Sequence, residues 1–327
     1  MASRKYRLKL DRPVPAEIAR VARGRIDHAI DELRGKTDST PGEAVHEARK
    51  DMKKLRALLR LIRGELGGDV YQRENARFRG AALELAGVRD ADVMLATLDA
   101  LEERFPDELP ADAAGGLRQA LEAHRATAAT ATREDAAAAA VRILKEARER
   151  VADWPLERDG FEALEDGLRR IYRQGRRGWA AARAHPSGEH IHEWRKRVKD
   201  HWYHLSLLEQ CWTPVMQALA DEAHELSDRL GDDHDLVVLL TWAHEHATAL
   251  DGMERVRAFE AIVQRRREEL QGEAFSFGDR LYTDRPRFFV RRIEGWWRAS
   301  IGAAPAEAAD HDLGGVGAKA APASGSQ

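Results

Sequence analysis

Apolar side chains recur at three- and four-residue spacing almost without interruption from Pro15 to about Arg298. That is the period of an amphipathic α-helix and not the alternation of a strand. The pattern predicts helices over residues 16–33, 42–65, 70–85 and 91–104, a long alanine-rich one over 111–151, and another over 161–183. Further helices follow to about residue 298, each separated from the next by Gly, Pro or Asp-bearing turns. Tyr6-Arg7-Leu8-Lys9-Leu10 alternates like a strand but is too short to carry weight. The fold class expected is all-α.

The pattern breaks at Trp154-Pro155, where proline has no amide hydrogen with which to continue a helix. Residues 1–155 and 156–301 are therefore read as two helical units, and 43% hydrophobic content over 327 residues is enough to give each a core. Residues 302–327 are rich in Ala and Gly and too poor in large apolar side chains to fold, which predicts a disordered tail.

The two units are related in sequence. Val45-His46-Glu47-Ala48-Arg49-Lys50-Asp51-Met52-Lys53 aligns with Ile191-His192-Glu193-Trp194-Arg195-Lys196-Arg197-Val198-Lys199, 146 residues later, and the His, Glu, Arg and both equivalent Lys coincide. Downstream, Leu85-Ala86-Gly87-Val88-Arg89-Asp90 aligns with Leu230-Gly231-Asp232-Asp233-His234-Asp235 at an offset of 145. A near-constant offset across about forty residues indicates an internal duplication.

On a helix turning about 100° per residue, Arg49, Lys50, Lys53 and Arg60 fall within about 60° of His46. Met52, Leu55, Leu58, Leu59 and Ile62 gather on the opposite side. The second copy behaves alike, with His192, Arg195, Lys196, Lys199 and Tyr203 on one side and Trp194, Val198, Leu205 and Leu208 on the other. Between the copies the apolar side has drifted, His201 and His204 replacing Leu55 and Leu58, while the cationic side has not. A merely solvated face would drift first, so the stripes are read as functional.

Charge bears on what the stripes could hold. Lys and Arg number 53 against 56 Asp and Glu, a net charge of -3, so bulk attraction to nucleic acid or an anionic membrane is not expected. Basic groups are nonetheless concentrated. Arg169, Arg170, Arg173, Arg176, Arg177 and Arg183 crowd one segment without an acid among them, and Arg73, Arg77, Arg79 and Arg89 follow the first stripe. The single cysteine, Cys211, excludes an internal disulfide and a thiolate zinc site. The basic N-terminus has no apolar run behind it and is not a secretory signal, which predicts a cytoplasmic protein.

Catalytic constellations are not evident. His190/His192 and His244/His246 point apart on a helix and chelate poorly. His234-Asp235 lacks the companion histidine and aspartate of a metal phosphohydrolase, and neither a nucleophile elbow nor a phosphate-cradling Gly-rich loop is present. No enzyme activity, metal or cofactor is expected. Asp90 and Asp235 are read as N-caps of following helices, and Glu47 and Glu193 as neighbours that orient basic side chains. Two other binding readings stay open on the residues alone. One is nucleic acid, weakened by the lack of aromatic positions along the first stripe, although Trp202 and Tyr203 lie beside the second. The other is a scaffold for an acidic protein partner.

The paired His-x-x-Arg-Lys-x-x-Lys motif, His46 to Lys53 and His192 to Lys199, resembles the hallmark of the CHAD (conserved histidine α-helical domain) family. The Leu85–Val93 and Leu230–Val238 segments resemble the element that follows the motif in that family, with His234 in place of Arg89. The resemblance covers roughly residues 5 to 300 and implies two four-helix bundles related by a pseudo-two-fold axis around a basic groove or pore. It also implies binding of inorganic polyphosphate and association with polyphosphate granules. Trp202 stands where the first copy has Arg56, which implies a weaker grip by the second half. The Glu-x-Glu-x-Lys strand motif of the catalytic domain fused to many relatives is absent. Arg supplies a planar fork of donors and Lys a mobile charge, which suits a ligand made only of acceptor oxygens. Flanked by cations, His46 and His192 are expected to be neutral until an anion arrives. The candidate contacts are His46, Arg49, Lys50, Lys53, Arg56, Arg60, Arg77 and Arg89 in the first unit, and Arg173, Arg176, Arg177, His192, Arg195, Lys196, Lys199, Tyr203 and His234 in the second.

Overall fold

Proline, glycine and capping side chains set the limits of the helices. In the computed structural model, which describes residues 6–85, 90–109, 111–128, 133–250 and 252–302, helix α1 (Val14–Leu33) starts beside Pro13 and stops short of Gly35, whose φ of 64° is left-handed. Helix α2 (Pro41–Leu61) opens with a capping box: the Glu43 amide donates to Thr40 Oγ1 at 3.4 Å and the Thr40 amide donates to Glu43 Oε2 at 2.8 Å. Helices α3 (Arg63–Glu84), α4 (Asp90–Arg104), α5 (Ala111–Ala128) and α6 (Arg133–Arg150) complete the first part. After a short 3-10 turn at Val151–Asp153, Trp154 is extended ahead of Pro155. The second part holds α7 (Glu162–Ala184), α8 (Gly188–Leu207), α9 (Thr213–Glu245), α10 (Met253–Leu281) and α11 (Pro286–Gly302). No strand occurs among the described residues, and the all-α class holds.

Several boundaries differ from the periodicity. The helix expected over 42–65 ends at Leu61, and the chain re-enters a helix that kinks at Gly67, where φ is 72°. The stretch expected as one helix over 111–151 is two, because α5 packs on α4 whereas α6 packs on α1 and α3. Alanine permits either course, and only the partners decide. Asp235 is not an N-cap: it lies inside α9, which runs unbroken through residues 230–235. The Tyr6–Leu10 piece is a strut instead of a strand. Leu8 is fully buried and its amide donates to the Leu207 carbonyl at 2.9 Å. Arg89 and the tail beyond residue 302 lie outside the described residues.

Two apolar cores form, and each draws on both sides of residue 155. The larger joins α1, α2, α3 and α6 to α7, α8 and α11, with Leu55, Leu58, Leu59, Trp194, Val198 and Leu205 fully buried. Each such leucine contributes about 2 kcal/mol. The smaller joins α4 and α5 to the last turns of α9 and the first of α10 through Leu98, Leu117, Leu239 and Val263. Within the larger core α2 and α8 touch directly, and His204 Nε2 and the Ala57 carbonyl oxygen lie 2.8 Å apart in a buried hydrogen bond. Burial lowers the His204 pKa to about 4, which keeps the ring neutral and leaves Nε2–H to donate. Helix α7 crosses the end of α2 at Gly167, where a Cβ would collide with the Leu61 carbonyl. The two motif-bearing helices are thus held side by side at the centre of the fold.

Candidate functional site

Each motif rides on a helix whose opposite face is anchored by apolar burial and whose flank carries a buried carboxylate. Under α2, Asp51 accepts from Arg25 at 3.0 Å and from His28 Nδ1 at 2.6 Å, both from α1. Under α8, Asp200 accepts from Arg60 of α2 at 3.2 Å and from Arg197 at 3.1 Å. The two acids sit in opposite order with their helix-mates, Asp51 before Lys54 and Arg197 before Asp200. Sequence reasoning missed this pair of anchors. Their signal was an acid off the cationic side of each stripe, a position that burial makes costly unless a cation is supplied.

Above these anchors the stripes meet. Lys53 is exposed on α2. Its pKa falls to about 7, chiefly because burial disfavours the charge and then because Lys199, Arg49 and Arg195 repel it, with Asp235 opposing. Lys199, half-buried, falls to about 8 through burial and the charge of Arg195, with Lys50 adding to it and Asp228 and Asp235 of α9 opposing. Neither lysine has a carboxylate within ion-pairing distance among the described residues. Groups from α2 and α8 therefore form one cationic cluster, flanked by α9.

The arginines of the two copies each reach the segment that follows their motif, but only the first is hydrogen-bonded there. Arg49 donates to the Leu85 carbonyl at 2.8 Å, while the Arg195 guanidinium lies over Gly231, about the equivalent place in the second copy. Arg195 Nε is buried without a hydrogen-bond partner. Lys50 pairs with Glu47 at 3.3 Å and Lys196 with Glu193 at 2.6 Å, so the two glutamates do orient the first lysine of each motif. His46 is half-buried with Nε2 3.9 Å from Glu47. His192 and His234 stack obliquely with ring centroids 4.7 Å apart. Burial lowers both pKa values, with Lys196 and Arg195 the next causes for His192, and Arg195 for His234, which falls to about 4. His192 Nδ1 is buried and has no partner. These two rings are neutral near pH 7, chiefly because they are buried.

The remaining candidates are placed differently. Arg60 is committed to Asp200, and Arg56 donates to Asn75 Oδ1 at 3.1 Å. Arg176 donates to the Tyr282 carbonyl at the end of α10, a favourable place for a cation because helix carbonyls are unsatisfied there. Arg173 and Arg177 are exposed on α7, and Arg77 is half-buried on α3. None of the α7 arginines is among the leading charges that act on Lys53 or Lys199. Tyr203 is 2% exposed, stacked on Trp202 and edge-on to Tyr6, so its phenol faces the core. No group of three or more metal-ligating side chains occurs among the described residues.

Comparison with known proteins agrees with this architecture. The CHAD domain family profile matches residues 20–244. Among solved structures, the CHAD domain from the plant Ricinus communis superposes with a TM-score of 0.57 at 19% identity, covering 91% of this chain and 95% of the plant chain. No curated protein sequence matches.

Proposed function

This chain belongs to the CHAD domain family, and on that premise we propose that it binds inorganic polyphosphate in the cleft between α2 and α8. The observation that carries the reading is the convergence of Arg49, Lys53, Arg195 and Lys199 with no ion-pair partner for either lysine. Crowding like charges at a partly enclosed place costs free energy that an anion recovers. Arg195 Nε and His192 Nδ1, at the same cluster, are buried without hydrogen-bond partners, which keeps polar atoms there unsatisfied in the ligand-free protein. His46, Lys50, Lys196 and His234 border the cluster, and Arg56, Arg77, Arg173 and Arg177 would meet only a chain long enough to leave it.

Polyphosphate suits the cleft better than nucleic acid does. Bases need an exposed aromatic face, yet Tyr203 is buried and Trp202 packs against Tyr203 and His224. Within the proposal the protein acts by binding and not by turnover: long-chain polyphosphate with magnesium should release no orthophosphate. Such a binder would gather at polyphosphate granules in the cytoplasm. No helix of the described residues is long and apolar enough to cross a membrane.

Isothermal titration with long-chain polyphosphate at rising salt tests the proposal. Affinity should fall with a log-log slope of about −0.7 for each phosphate engaged, and Lys53→Glu or Lys199→Glu should weaken it by about tenfold or more at low salt. Salt-independent affinity, or full affinity in both variants, would overturn it.

A further inference from the structure

We propose that the outer face of α11 docks the protein on an anionic lipid bilayer. Helix α11 buries Phe289, Val290, Ile293 and Trp297 and packs against α7 and the 3-10 turn Glu209–Cys211. Ser300 Oγ donates to the Cys211 carbonyl and ties that turn to the helix. The opposite face, with Phe288, Arg291, Arg292, Gly295 and Ala299, is open to water.

Large apolar groups stand on that face where a merely solvated helix carries polar ones. Phe288 is 48% exposed, and Trp212, which follows the tied turn, is 50% exposed. Phe288, Arg292 and Trp296 lie one turn apart in an i, i+4 row. Trp212 meets Trp296 edge-on, with ring centroids 5.3 Å apart. Aromatic and cationic groups therefore alternate along one side of the molecule from Phe288 to Trp212.

Charge selects the partner. Arg292 and Arg298 are matched by Asp284 and Glu294, but Arg285, Arg287 and Arg291 are exposed with no carboxylate in ion-pairing distance among the described residues. A chain of net charge -3 has no bulk attraction to anions, so docking rests on this local excess of cations. Unmatched arginines beside exposed rings suit a bilayer surface, where guanidinium groups meet lipid phosphates and rings enter the headgroup boundary. Single-stranded nucleic acid fits less well, because base stacking needs free ring faces. Arg287 lies over the Phe288 ring at 4.6 Å and Arg292 over a Trp296 ring at 5.5 Å, so a guanidinium already takes one face of each. Entry into the headgroup layer asks only that the ring be exposed.

Vesicle flotation of the full chain at low salt tests the proposal, with vesicles of phosphatidylcholine alone or of equal parts phosphatidylcholine and phosphatidylglycerol. The protein should float with the anionic vesicles and not with the neutral ones. Arg287→Glu with Arg291→Glu should weaken the binding by about tenfold or more, and Phe288→Ser by severalfold, with circular dichroism unchanged because all three positions are exposed. Lys53→Glu should leave flotation intact. Absence of flotation, equal flotation with neutral vesicles, undiminished flotation of the double arginine variant, or its loss in Lys53→Glu would overturn the proposal. Single-stranded DNA captured without flotation, and lost in the double arginine variant, would assign the face to nucleic acid instead. Polyphosphate titration of the same proteins separates the two readings. Flotation without polyphosphate binding overturns only the proposed function, and polyphosphate binding without flotation overturns this one alone.

Discussion

Lys199 is the charge that most opposes protonation of Lys53, although 146 residues separate them in sequence. A helix that carried only one motif would spare its lysine the repulsion of Lys199 and Arg195, leaving burial and Arg49 of its own motif to lower the pKa. Side-by-side packing of α2 and α8 turns two surface stripes into a site whose charge depends on pH and on what is bound.

Polyanion binding should take up protons. An anion beside Lys53 and Lys199 restores the charged forms, so near pH 8, where Lys53 is largely neutral and Lys199 about half so, roughly one proton should be absorbed per site occupied. Affinity should fall as pH rises from 6.5 to 9. Titration calorimetry in buffers of different ionisation enthalpy measures the uptake, and Lys53→Arg, always charged, should lower it at pH 8.

The same shift acts on stability. Both lysines titrate lower in the folded chain, near 7 and 8, than in the unfolded chain at about 10.5. Between those values the unfolded chain binds more protons, so the pair makes stability rise with pH, and below pH 7 its penalty is complete. Lys53→Gln should therefore raise the melting temperature of the ligand-free protein at pH 6, and the gain should shrink by pH 9. Differential scanning calorimetry at the two pH values checks the sign.

Chain length should matter. A long polyphosphate can engage Arg49, Lys50 and Lys53 and continue onto Arg195, Lys196 and Lys199, the second engagement being favoured by effective concentration. Triphosphate is too short to use both stripes fully and should bind far more weakly. The double variant Lys53→Glu with Lys199→Glu should damage long-chain binding more than triphosphate binding, while helicity is kept because neither side chain packs in the apolar core. Calorimetric titration of both single variants and the double with each ligand decides. Equal losses for the two ligands would show that the stripes do not share one chain.

Gly167→Ala should be severe despite being the smallest of changes. Its methyl group would overlap the backbone carbonyl of Leu61, which cannot move without shifting α2 against α7. A loss of about 3 kcal/mol or more is expected, seen as a lower midpoint in chemical unfolding. Gly231→Ala is the control. A Cβ there meets Arg195 only at ordinary contact distance, 3.8 Å, so stability should change little.

How much of this was legible beforehand depends on the range of the interaction. Helix period, turn residues and like residues at a fixed offset are local or self-referential, so the all-α class, most helix limits and the two stripes were open to sequence reading. His46, Arg49, Lys50, Lys53, His192, Arg195, Lys196, Lys199 and His234 were named from the repeat alone, and the fold brings Arg49, Lys53, Arg195 and Lys199 together at one place. Tyr203 could not be judged so: the wheel put it beside the stripe, but at the boundary between faces only the neighbouring chain decides burial, and Tyr6 covers it. Arg176 reads as one more free cation until the end of α10 is seen to stand beside it.

What the sequence determined by itself was which side chains share a helix face, because covalent spacing and a fixed helical pitch leave no choice. What the tertiary structure alone decided was which faces meet. Asp200 takes its partner from Arg60, 140 positions earlier, and Lys53 meets Lys199 because two helices sharing one core lie side by side. Those contacts depend on how apolar surfaces from both halves fit together. No period within either half contains that information, and it is this fit that brings like charges together and lowers the pKa of the two lysines.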